Sequence, residues 1–209
     1  MSDAADGNGD RRDPDELPAE IRENVPDYDD EYFDRVSDRL MYSYDLSRDV
    51  VVNGERFEFA GEMRMRNQKQ FFHPALSYAD HDIMEHLFAR RVGTPTVGEL
   101  ERLVDLGHDI ADERVTPNEE HYGTDVTFVL VVDRIPDDVA AFVDGFRDRT
   151  LLKLGYYGHY EVNLIVVAPD EESIVDSEAA GVTDAFRMWE PIAEADEGVL
   201  SRFAKRFWR

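Results

Sequence analysis

The sequence predicts one α+β or α/β domain, a mixed sheet that contains a β-hairpin and a βαβ unit and is packed by several amphipathic helices. Three observations carry that expectation. Asn53-Gly54, the pair favoured by a tight I′ turn, sits between two strand-like runs. Val126–Val132 and Tyr160–Ala168 are almost continuously apolar, the mark of strands buried on both faces, with a helical pattern between them. Elsewhere apolar residues recur at helical spacing, beginning with Tyr32, Phe33, Val36, Leu40 and Tyr44.

Taken in order, residues 1–26 are polar and acidic and read as a solvated tail, and a globular domain over 27–189 follows. An amphipathic helix over about 28–46 opens it. Asp49–Val52 and the run from Glu55 onward form the hairpin. On the second strand the alternation places Phe57, Phe59, Met63, Met65 and Phe71 on a core face and Arg56, Glu58, Glu62, Arg64, Arg66 and Gln68 on a polar one. Ile83, Met84, Leu87 and Phe88 predict a helix over about 78–91, ended by Gly93-Thr94-Pro95. Thr96 and Glu99 form a capping-box pattern for the next helix, which would make a hairpin-like pair with it. Pro136 suits a helix first turn before Val139, Phe142, Val143 and Phe146. Strand, helix and strand then make the βαβ unit with parallel central strands. After Pro169 the chain turns acidic and regains apolar spacing around Val182, Phe186 and Trp189. Residues 190–198 read as an acidic linker.

Composition restricts function more than any motif does. Asp and Glu number 47 against 23 Lys and Arg, a formal net charge of -24, and the only lysines are Lys69, Lys153 and Lys205. In dilute buffer such a surface repels itself, whereas at about 1 M salt the Debye length shrinks to roughly 3 Å and the repulsion is screened. The acidic, lysine-poor composition resembles the cytoplasmic proteins of salt-in halophilic archaea. That resemblance implies a solvent and a cytoplasmic location, and no activity. The absence of cysteine excludes disulfides, thiolate metal sites and cysteine nucleophiles. The N-terminus has no secretory h-region, and no apolar stretch approaches the roughly 20 residues that span a bilayer.

Four features are weighed as sites. Residues 199–209 carry Arg202, Lys205, Arg206 and Arg209 and no acid, interleaved with Leu200, Phe203, Phe207 and Trp208. Arg202, Phe203, Lys205, Arg206, Phe207 and Trp208 are therefore candidate contacts for a protein partner, with peripheral membrane contact also open, nucleic acid disfavoured by molar salt, and folding back onto the domain as the structural alternative. Lys153, Tyr156, Tyr157 and His159 form a glycine-containing loop before a buried strand, suited either to a small ligand or to a packed turn. His73, His81 and His86 cluster without the spacing of a two-histidine metal motif. Glu58 and Glu62 share a strand face with Arg64, where a nuclease of the Glu-x-Lys type would need lysine as its base. No cofactor and no metal site is expected. The leading expectation is a non-catalytic binding or accessory protein. A metal-dependent hydrolase or nuclease-like enzyme using Glu58 or Glu62 and nearby histidines, and a small-molecule sensor built on the 155–159 loop, are the alternatives.

Overall fold

The computed structural model describes residues 25–68 and 80–191. Its elements run α1 (Glu31–Leu40), β1 (Asp45–Val52), β2 (Glu55–Gln68), β3 (Asp80–Arg91), α2 (Val97–Arg114), β4 (His121–Val131), α3 (Asp137–Asp144), β5 (Asp148–Leu151), β6 (His159–Ala168), β7 (Ser173–Asp176) and α4 (Thr183–Phe186). The seven strands make one mixed sheet in the order β1-β2-β3-β4-β6-β5, with β7 on β6 as well. β3, β4 and β6 are parallel and the other pairings antiparallel. β5 pairs the first half of β6, at His159–Val162, and β7 the second half, at Ile165–Ala168.

Local chemistry sets the element ends. Asp30 caps α1 by accepting from the backbone N–H groups of Tyr32 and Phe33, so the helix is shorter than its apolar spacing suggests. Thr96 caps α2 as the capping pattern predicts, accepting from Glu99 N–H at 3.2 Å. Asn53 and Gly54 both have positive φ, 48° and 87°, the geometry of a I′ turn.

Two helical layers cover the sheet. α1 and α4 enclose one core with Phe33, Val36, Leu40, Phe59, Met63, Leu87, Val129, Ile165 and Phe186. α2 and α3 enclose the other, with Phe88, Leu100, Ile110, Val126, Phe128, Leu130, Val139, Val162 and Leu164. Both crossover helices lie on the same face, as expected when right-handed connections carry the chain steadily from β3 to β4 to β6.

The structure corrects further expectations. Residues 80–91 are a central strand, not a helix, so α2 is the crossover of a second βαβ unit rather than half of a helical pair. A strand buried on both faces places apolar residues at consecutive positions, and Ile83, Met84, Leu87 and Phe88 thereby imitate helical spacing. Nor does β2 keep one core face: Phe57 and Ala60 enter the α2/α3 core while Phe59 and Met63 enter the other. The short strands β5 and β7 were hidden by the polar residues Asp148, Arg149, Ser173 and Asp176.

Candidate functional site

A crevice of about 600 Å³ opens where β3, β4 and β6 end, lined by Asp30, Glu31, Tyr32, Arg35, Arg91, Val132, Asp133, Pro169, Asp170, Glu172, Met188 and Trp189. That volume suits a small ligand, and the carboxyl ends of parallel strands are where open α/β sheets bind ligands. Its walls are fixed by named contacts. Asp30, already capping α1, also pairs with the Arg91 guanidinium at the end of β3, which holds its carboxyl below the usual carboxylate range. Arg91 in turn lies over the rings of Tyr32 and Phe33, 5.8 and 6.0 Å from their centroids. Opposite, Arg39 donates to the carbonyls of Asp184, Arg187 and Glu190 at 3.1, 3.0 and 2.8 Å, and Tyr32 to that of Phe186 at 2.6 Å. These bonds fasten the 183–190 segment, which carries Met188 and Trp189, against α1.

Charge in the crevice is uneven. Among the described residues Arg91 is paired with Asp30, whereas Glu31, Asp133, Asp170 and Glu172 make no ion pair and the lining cation Arg35 is likewise unpaired. The lining thus combines an excess of carboxylates with the rings of Trp189 and Tyr32.

Lower on the sheet, facing α1 and α4, three acids stand in one row: Glu85 on β3 pairs in register with Asp125 on β4, and Asp125 with Glu161 on β6. They are 1%, 0% and 3% exposed. Glu85 accepts from Tyr44 Oη at 2.5 Å and Thr127 Oγ1 at 2.7 Å. Glu161 accepts from Arg149, which also reaches His159 Nε2 at 3.1 Å. Asn163, across from Thr127 and one pair along from the row, is 1% exposed, and neither its Oδ1 nor its Nδ2 has a hydrogen-bond partner among the described residues.

The residues singled out in sequence scatter. Lys153 and Tyr156 are exposed on the loop after β5, Tyr157 is half-buried, and His159 turns inward beside Glu161, so the four line no common wall of the crevice. Lys153 and Leu154 hold positive φ there, 48° and 60°. Glu62 does meet His86, at 3.2 Å, but the third group on Glu62 is Arg114, at 2.8 Å, where a metal site needs another ligand. Burial and Arg114 lower the His86 pKa, which keeps the ring neutral. Glu58 lies away from that pair and accepts from Arg91 N–H at 2.7 Å. Among the described residues no three His, Asp or Glu side chains form a group able to hold a metal ion. His73 and residues 199–209 lie outside the described residues. Neither the crevice nor the carboxylate row was visible in sequence, since both are assembled from strands distant along the chain. The polar positions Glu85, Asp125, Glu161 and Asn163 inside apolar runs were the available signal.

Fold and crevice define a three-layer protein with an open mixed sheet and a ligand-sized opening at its parallel strand ends. The chain belongs to the family described as Domain of unknown function (DUF8052), whose model matches residues 28–188. No curated protein and no solved structure matches it. No described helix is long and apolar enough to cross a membrane.

Proposed function

We propose that this chain is a non-catalytic binding protein adapted to a salt-rich cytoplasm, and that its ligand is a small organic cation held in the crevice at the ends of β3, β4 and β6. The observation that carries the reading is the lining itself: four carboxylates that make no ion pair among the described residues, beside the partly exposed ring of Trp189. Aromatic faces attract cations, most strongly when these are poorly hydrated, and that contribution persists at salt concentrations that screen exposed carboxylates. The acid-rich, lysine-poor composition supports the salt-rich setting.

The chain contains two tryptophans, Trp189 and Trp208. In a Trp208→Phe chain kept at molar salt, Trp189 alone reports on the crevice. Titration with choline should change its emission saturably, and Asp133→Asn with Asp170→Asn should weaken that response several-fold. A response no different from that of free tryptophan would defeat the proposal.

A further inference from the structure

We infer that the organic cation of the crevice is one half of a zwitterion, whose carboxylate is taken by Arg35 on α1. The inference rests on the crevice reading above and assigns the second half of its ligand.

The first argument is that the two walls differ in sign. Asp133 follows β4, and Asp170 and Glu172 follow β6, so the strand-end wall carries carboxylates. Arg35 stands exposed on the α1 wall and makes no ion pair among the described residues, not even with Glu31 one turn before it. Arg39 lies one turn further along the same helix face, and its hydrogen bonds go to the backbone carbonyls of Asp184, Arg187 and Glu190, which carry no net charge. Burial, followed by the charge of Arg35, lowers the Arg39 pKa, so the two guanidinium groups bear on one region. A bare organic cation is attracted by one wall and repelled by the other. A ligand carrying both signs meets complementary charge on each.

The second argument is the kind of group each wall holds. A guanidinium fork binds a carboxylate through two parallel hydrogen bonds. Arg91, the other lining arginine, is committed to Asp30, which leaves Arg35 as the lining cation for an incoming anion. The partly exposed ring of Trp189, on the segment that Arg39 fastens to α1, is the aromatic partner for an alkylated ammonium.

The third is salt. At molar concentration, free ions compete separately for each exposed charge. Two charges joined by a short link arrive together, and the second contact then forms at the effective concentration set by that link. The ligand class is therefore a small N-alkylated amino acid. Glycine betaine is its simplest probe, since it keeps the trimethylammonium head of choline and carries a carboxylate in place of the hydroxymethyl group.

The test compares glycine betaine with choline on the full Trp208→Phe chain at molar salt, read by Trp189 emission and by calorimetry. Betaine should bind several-fold more tightly than choline. Arg35→Gln should abolish that preference, weakening betaine several-fold and strengthening choline, while circular dichroism shows the fold retained. Arg102→Gln removes an exposed cation from α2, outside the crevice, and should keep the preference, which controls for net charge. Betaine binding no tighter than choline would overturn the inference and leave the crevice reading standing. A betaine preference that survives Arg35→Gln, or that Arg102→Gln abolishes equally, would overturn it too. Silence of both readouts toward both ligands would remove the crevice reading and the inference with it.

Discussion

The phenol of Tyr44 donates a 2.5 Å hydrogen bond to Glu85, joining the residue that leads from α1 into β1 to the strand at the middle of the sheet. Burial, followed by the charge of Glu85, pushes the Tyr44 pKa well above that of a free phenol, so the donor stays protonated. Tyr44→Phe leaves a buried carboxylate short of one donor and should cost about 1–3 kcal/mol in denaturant unfolding at neutral pH. With the folded pKa raised, Tyr44 contributes fully below about pH 10, where an unfolded tyrosine titrates, and less as pH rises toward the folded value. The stability difference between the two chains should accordingly shrink above about pH 10.

Asp30 serves both α1 and the crevice. Asp30→Ala removes the cap of α1 and should lower stability by about 0.5–2 kcal/mol. Asp30→Asn keeps a capping oxygen and gives up the charge on Arg91, an interaction of a half-exposed pair worth under about 1 kcal/mol. Since Arg91 lowers the Asp30 pKa, the carboxylate contributes stability above about pH 3.9 and loses it as pH falls through the folded value. Acid titrations of the wild type and Asp30→Asn should therefore converge at low pH.

Two glycines of α2 should answer alanine in opposite directions. A Cβ on Gly107 would lie 2.8 and 2.9 Å from the Val162 methyls, where the helix rests on β6. Overpacking of about 1–3 kcal/mol there outweighs a helix-propensity gain of about 1 kcal/mol, so Gly107→Ala should destabilise. At Gly98 the nearest atom is Arg102 Nη1 at 4.0 Å, and Gly98→Ala should stabilise by up to about 1 kcal/mol. Melting temperatures of the two variants at molar salt decide the matter.

Salt should govern the whole domain. With a formal net charge of -24, transfer from molar salt to dilute buffer should lose cooperative structure by circular dichroism, and returning the salt should restore it. A melting temperature independent of salt would remove the basis for the salt-adapted reading.

The hairpin, the cap at Thr96 and the apolar strands β4 and β6 were legible because turn chemistry and two-sided burial leave local marks in the sequence. β3 was not, because Glu85 and His86 interrupt an apolar strand at the point where the buried row forms, leaving a pattern of helical appearance. The crevice could not be read at all: Asp30, Arg91, Val132, Pro169 and Trp189 are brought together only by the strand order. The buried acids Glu85, Asp125 and Glu161 are spread over three strands and become a single row only through their register.

The most direct test of the binding function is amide shift mapping of the labelled full chain titrated with choline at molar salt. The account predicts saturable shifts concentrated at Arg91, Asp133, Asp170 and Trp189, with the exposed loop at Lys153–Tyr156 unchanged. Shifts spread evenly over the acidic surface, or none at the crevice, would contradict it.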